Sequence, residues 1–257
     1  MNYGLYLSAN GISSSQYRMN VLANNLANAN TTGFKPSSVV LGERAREPEQ
    51  LNTMTNSRQL LQELGGGTEI AYTGLDLRQG SLENTGVRTN LALKGDGFLH
   101  LDGGTDTTHN LTRDGNLSFD AQGTLRHEAS GHAVLDDRGR QIQLGPEERL
   151  RFDGFGPAGE LIDSENAFEP LARVALVEAD HRTLTPHGQN VIETQQELTA
   201  ARNVEVVGSA LEQSASNPIS GMVELIELTR QIEMNSRMIQ YQDAMIGQAV
   251  TALARVV

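Results

Sequence analysis

Apolar residues recur at a strict spacing of seven near both ends of this chain. Leu5, Ile12, Met19 and Leu26 make one series, with Leu22 and Ala29 three residues after its last two members. Leu225, Ile232, Ile239, Ile246 and Leu253 make the other, with Leu228, Ala249 and Val256 each three residues after a member. A helix turns about once in 3.6 residues, so such a repeat draws an apolar stripe along one side and predicts a helix with a heptad seam at each end. The first helix is expected to close at Asn28-Ala-Asn-Thr-Thr-Gly33, because Asn and Gly tolerate the left-handed geometry of a helix end, and Pro36 follows. The second starts at Asn217-Pro218, an Asn cap and a Pro whose missing N–H is not needed in the first turn. Running to about Arg255, it would be on the order of 55 Å long. Asn235 and Gln242 fall on its stripe, where an amide can fix the register of a partner helix.

Between the helices the periodicity changes. Of 26 glycines, 18 lie from Gly65 to Gly159, and Asp-Gly pairs at Asp96, Asp102, Asp114 and Asp153 mark tight turns between short strands. Thr68–Tyr72, Leu91–Lys94, Phe98–Leu101, Asn116–Phe119 and Arg173–Val177 alternate in part and read as strands. No long helical pattern separates them, so they predict an antiparallel or mixed β-domain and not βαβ units. The expected architecture is α+β, with long coiled-coil-like terminal helices flanking a central β-rich domain. Its parts are a helix and closing signature over 1–35, a polar link over 36–67, the β-domain over 68–195, a second link over 196–216 and the last helix over 217–257.

Composition narrows the function classes. Apolar residues make up 38% and aromatics 4%, with no Trp, so the core is built from Leu, Val, Ile, Met and Ala. The net charge of −12, with no basic cluster longer than the Arg44/Arg46 pair, argues against a nucleic-acid surface or an anionic-membrane patch. Without cysteine there is neither a disulfide framework nor a thiolate metal site. The opening Met1-Asn-Tyr-Gly-Leu-Tyr-Leu-Ser lacks the basic start and apolar run of a secretory signal, and no segment is long enough to span a bilayer. By these rules alone the chain reads as a soluble cytoplasmic protein.

Candidate chemistry is sparse. His100 and His109 flank Asp102 and Asp106, but Gly103-Gly104 and the adjacent threonines fit a hairpin loop better than a metal cluster. Asp114-Gly-Asn116 with Asp120 resembles part of a calcium loop, yet it lacks the remaining oxygen ligands and the closing Glu, so turn chemistry accounts for it. Gly95-Asp-Gly97 is followed by Phe-Leu-His and not by a glycine opening a helix, which leaves a phosphate loop unsupported. No feature selects Glu83, Asp96 or Asp114 as a catalytic carboxylate. We expect no catalytic residue, cofactor or metal.

One stretch, Val21-Leu-Ala-Asn-Asn-Leu-Ala-Asn-Ala-Asn-Thr-Thr-Gly-Phe-Lys35, resembles the amino-terminal signature of flagellar basal-body rod and hook proteins. Further segments follow in the family's order: Gln79-Gly-Ser-Leu-Glu-Asn-Thr-Gly86, Asn90-Leu-Ala-Leu-Lys-Gly-Asp-Gly-Phe98, and Leu111-Thr-Arg-Asp-Gly-Asn-Leu-Ser-Phe-Asp120. Leu211-Glu-Gln-Ser and Met222-Val-Glu-Leu-Ile-Glu-Leu-Thr-Arg-Gln-Ile-Glu-Met-Asn235 are similar to its closing helix. The resemblance spans nearly the whole chain. His100, where an apolar strand residue is usual, and Pro218-Ile-Ser-Gly221 depart from the pattern.

The resemblance implies a structural subunit of the flagellar basal-body rod, not an enzyme. Such a subunit is exported through the flagellar type III apparatus without a cleaved signal peptide and stacked helically in the periplasm with itself and other rod and hook axial proteins. It transmits torque and lines the export channel, with no nucleic-acid partner and no direct membrane insertion. The chain length and the opening residues resemble the proximal-rod type; distal-rod and hook-type subunits are the alternatives within the family. From other classes, a cell-wall hydrolase or a secreted β-rich binding module leaves the terminal heptads without a role. Leu5, Ile12, Met19, Leu22, Leu26, Leu225, Ile232, Ile239, Ile246 and Leu253 are therefore the expected assembly interface, with the amides of Asn24, Asn25 and Asn28 closing it. Isolated helices of this length are marginal in water, so these ends are expected to fold as neighbours cover them.

Overall fold

The protein is described by a computed structural model over residues 3–43, 67–103, 108–166 and 169–254. Asp106, Val256 and most of the polar passage over 36–67 lie outside those residues, as does the side chain of Leu253. The chain divides into two compact units, one gathering Met1–Leu26, Ser37–Thr73 and Pro218–Val257, the other Ala27–Pro36 and Gly74–Asn217.

The first unit holds the two long helices, α1 (Tyr3–Ala27) and a C-terminal one (Pro218–Ala254), and the strand β1 (Ser37–Glu43). β1 pairs with β2 (Thr68–Leu75), most of which belongs to the same unit. Both helices lie where the heptads place them. α1 ends one residue before Asn28, and Gly33, at φ +65, takes the left-handed conformation expected of the turn.

The second unit is antiparallel β throughout its paired strands. Its main sheet runs in the order β12 (Thr185–Gly188), β13 (Val191–Thr194), β6 (His109–Thr112), β5 (Phe98–Leu101), β11 (Leu176–Glu178) and β14 (Thr199–Ala200). Four two-stranded pairs belong to the same unit: β3 (Leu82–Asn84) with β16 (Ala210–Glu212), β4 (Leu91–Lys94) with β15 (Glu205–Gly208), β7 (Leu117–Phe119) with β8 (Leu125–His127), and β9 (Phe152–Phe155) with β10 (Leu161–Asp163). A short helix, α2 (Pro146–Arg151), precedes β9, so the terminal helix is α3.

Strand alternation divides the core in two. Phe98, Leu111, Val177 and Ile192 form one cluster, and Leu99, Leu101, Leu117, Leu125, Val134 and Leu161 belong to a larger one. Successive residues of a strand point to opposite faces, so Phe98 and Leu99 serve different clusters. His100 stands opposite Leu111 on the Phe98 side, half-buried, with its ring edge-on to His109 at 5.4 Å between centroids. Burial holds the His100 imidazole below its ordinary range, and the neighbouring His109 adds to that.

Four sequence expectations differ from the structure. The passage over 36–67, read as a polar link, carries β1 (Ser37–Glu43), and the strand read over Arg173–Val177 is β11, Leu176–Glu178. Residues 196–216, read as a link, carry β14, β15 and β16, with Val206, Ala210 and Leu211 buried; strands this short present too few alternating positions to stand out from polar surroundings. Asp153-Gly154 is no turn between strands but lies inside β9, where Gly154 at φ +140 accompanies a register shift, Ile162 facing Gly154 and Asp163 facing Phe152. The extra residue is a bulge, a local conformation that also favours glycine.

Candidate assembly interface

In the first unit the two helices run antiparallel. A Cβ added at Gly4 would strike the Gln242 side chain, one at Gly11 would stand 2.9 Å from Asn235 Nδ2, and one at Gly221 would meet Leu22 at 3.8 Å and Leu26 at 4.0 Å. Numbers rise along one helix as they fall along the other. Ser8 and Ser15, both buried, share the face of Gly4 and Gly11 by helical spacing. Small residues let helix axes approach closely, and the amides of Asn235 and Gln242 occupy the space that larger α1 side chains would fill. Arg18 closes one flank through its guanidinium, which donates to Glu224 Oε1 at 2.9 Å.

On α3 the covered positions are Leu225, Leu228, Ile232, Asn235, Ile239, Gln242 and Ile246, spaced alternately three and four apart, and Leu228 is fully buried. The residues between them are exposed, among them Ile226, Met234, Met238, Tyr241 and Met245. α3 has 37 residues against 25 in α1 and continues past the level of Gly4, where residues 247–252 are all exposed.

Of the α1 residues that the heptad selects, Leu5, Ile12, Met19, Leu22 and Leu26 are half-buried. The glycine and serine face lies beside that stripe and is missing from the apolar pattern. Its signal is the pair of glycines inside a helix, each about 1 kcal/mol less favourable than alanine and so worth having only where something must come close. Asn25 is buried, and its amide pairs with one backbone residue twice, Nδ2 donating to Ser37 O at 2.7 Å and Oδ1 accepting from Ser37 N at 2.9 Å. Asn28 O accepts from Thr31 N at 3.1 Å, and its Oδ1 accepts from Thr31 Oγ1 at 3.3 Å, which closes the turn; Asn24 is exposed.

The remainder of the signature, 27–36, belongs to the second unit and is locked there by buried polar groups. Lys35 Nζ donates to Glu212 Oε1 at 2.6 Å and to Arg78 O at 2.8 Å, with the side chains of Lys35 and Glu212 only 2% and 0% exposed. Glu212 Oε1 also accepts from Gly80 N at 2.8 Å, and Gly33 N donates to Glu212 O at 2.7 Å. Arg113, also buried, places Nη1 3.8 Å from Glu212 Oε2 and its guanidinium 5.0 Å from the centre of the Phe98 ring. Burial holds the Lys35 amine below the ordinary lysine range against the opposing pull of Glu212. Heptads give no hint of this cluster. Its members sit in the quoted segments, but spacing alone cannot pair residues 177 positions apart.

Asp114 is the second anchor. Its Oδ1 accepts from Thr32 Oγ1 at 2.8 Å and from Asn116 N at 3.1 Å; its Oδ2 lies 3.2 Å from His127 Nε2 and accepts from Asn190 Nδ2 at 3.3 Å. Asn190 Nδ2 also donates to Thr32 O at 2.7 Å. Asp120 Oδ1 accepts from Gln122 N and Thr124 N. The carboxylates of the calcium-like fragment are thus used up in holding turns and the chain after α1.

Residues 5–35 match the sequence profile of the flagella basal body rod protein family, and residues 207–252 match that of the flagellar basal body rod FlgEFG protein C-terminal segment. Over 97% of this chain and 98% of the relative, the sequence is 30% identical to the flagellar basal-body rod protein FlgG of Borreliella burgdorferi. The chain belongs to the flagellar basal-body rod protein family. It is also 28% identical, over the whole of both chains, to the flagellar basal-body rod protein FlgF of Caulobacter vibrioides. With the flagellar hook protein FlgE of Helicobacter pylori it shares 34% identity over 47% of this chain but 17% of the hook protein. The two family segments are those that meet twice in this rod-family chain, as α1 against α3 in one unit and as Gly33 and Lys35 against Glu212 in the other.

Proposed function

We propose that this chain is a rod subunit of the proximal type, which polymerises through α1 and α3 to build the periplasmic shaft that transmits torque and lines the export channel. The observation that carries the rod assignment is likeness from end to end: 98% of FlgG and 100% of FlgF are covered, against 17% of the hook protein. Charge distribution supports the helices as the contact. α3 carries Glu224, Glu227, Glu233 and Asp243 against Arg230 and Arg237, and α1 carries Arg18 alone, so the pair has a net charge of −1 while the chain carries −12. Copies can therefore pack helix to helix while most like-charge repulsion lies elsewhere. Contacts of this head-to-tail kind do not close and so extend into a filament. The partners are further copies and other rod and hook axial proteins, and delivery is through the type III apparatus without a cleaved signal.

The test is incorporation. In cells lacking the natural copy, a tagged chain should appear in isolated basal bodies, whereas Ile232→Asp and Ile239→Asp should be lost from them, because a buried carboxylate in the seam costs several kcal/mol. Both variants should keep the urea transition of the β-unit. Normal amounts of both in basal bodies would overturn this use of the seam. Immunogold label at the end of the rod away from the hook supports the proximal type; label next to the hook makes it distal.

A further inference from the structure

The second apolar stripe of α3 has an unusual composition. Met234, Met238, Tyr241 and Met245 recur at spacings of four, three and four, and are 59%, 52%, 67% and 62% exposed. Each precedes by one residue a position that α1 covers, so the stripe runs about 100° round the helix from the paired seam and alongside it. No charged residue interrupts it. Thioethers adapt to irregular surfaces and so suit a face meant to be covered, yet they are oxidised readily while they remain in water.

We propose that Met234, Met238 and Met245 form an oxidation site whose conversion to sulfoxide prevents a second copy of this chain from covering α3. The inference rests on the rod reading above. A second copy is the occupant because the stripe runs beside the α1–α3 seam along the same helix and the helix pair is nearly neutral, so that like surfaces do not repel. In the reaction with a peroxide, a sulfur lone pair attacks the terminal peroxide oxygen, the O–O bond breaks and an S–O bond forms. With hydrogen peroxide the sulfur loses two electrons and the peroxide is reduced; the departing oxygen leaves as hydroxide and becomes water by taking up the proton that the new S–OH group releases. The product is a strongly polar sulfoxide that must be desolvated when the stripe is covered, whereas in the free chain it stays in water and leaves the fold unchanged.

Two variants and one footprint test this. Met234→Leu with Met238→Leu and Met245→Leu retains apolar bulk and should enter basal bodies like the unsubstituted chain. The corresponding Gln triple, polar but helix-compatible, should enter roughly tenfold less while its helical circular dichroism is unchanged. Hydrogen peroxide should oxidise the three methionines at least about tenfold faster in the purified full chain than in isolated basal bodies, read by peptide mass spectrometry. Normal entry of the Gln triple, or equal oxidation rates free and assembled, overturns the proposal with the rod reading intact. If the unsubstituted chain is itself absent from basal bodies, the rod reading falls first and this inference with it.

Discussion

Glu212 is the residue on which the second unit's hold over the chain after α1 depends. It faces two buried cations, Lys35 at 2.6 Å and Arg113 at 3.8 Å, and among the described residues Arg113 Nε and Nη1 have no hydrogen-bond partner. A carboxylate so placed offsets a charge that the interior solvates poorly. Removing it strands the cations, which in buried pairs costs about 3–5 kcal/mol. Glu212→Gln should therefore lower the urea stability of the full chain by about that amount, while Lys35→Met, Glu212→Leu and Arg113→Leu together should recover most of it. A loss below about 1 kcal/mol for the single change would mean that water reaches the cluster. Gly33 shows the same tightness in the backbone: its φ of +65 suits glycine, and a Cβ there would lie 2.5 Å from the Asp114 main chain.

Among the elements, the helix pair makes the sharpest statement. Gly11 facing Asn235 fixes one antiparallel register, so Gly11→Cys with Asn235→Cys should form an intrachain disulfide under mild oxidation, and Gly11→Cys with Ile246→Cys should not, because Cα atoms more than about 7 Å apart cannot be bridged. Non-reducing gels of the free chain decide it; a crosslink in the second pair alone would refute the register. What the sequence discloses at this scale follows the strength of its periods. The Asn-Pro start places the beginning of α3 at Pro218 as observed, and the mostly apolar segments Leu91–Lys94 and Phe98–Leu101 coincide with β4 and β5. The α1 contact face was hidden because it is made of glycine and serine, which carry no hydrophobic signal. The Lys35–Glu212 pair was hidden because period and propensity are local, and that contact is not. Asp-Gly pairs misled at Asp153, since a bulge and a turn ask the same freedom of glycine.

At the scale of the molecule, acid exposes how the β-unit is held. Asp76 is kept below the ordinary carboxylate range by the Arg78 guanidinium, and Asp120 by the Arg126 guanidinium and two backbone N–H groups. Burial pushes Asp136 up, but hydrogen bonds from Arg140 and Arg138 outweigh it and leave the group lowered as well. A carboxylate with a depressed folded pKa stabilises fully above its unfolded value, 3.8, and loses that contribution as pH falls through the folded value. Urea midpoints should thus be flat from about pH 7 to pH 5 and drop below about pH 4, with a shallower drop in Asp120→Asn with Asp136→Asn. A slope unchanged by the double substitution would rule these two groups out.

The unequal helices have one more consequence. With 37 residues against 25 in antiparallel register, α3 leaves an uncovered overhang beyond the start of α1, and no counterpart overhang exists at the Gly221 end, where Leu22 and Leu26 reach the first turn. Like the cohesive end of a cut duplex, such a tail gives the subunit a direction. The two ends of the helix pair therefore differ, α3 running on exposed over residues 247–252 at one and Gly221 lying against Leu22 and Leu26 at the other, so the pair has a direction along its own axis.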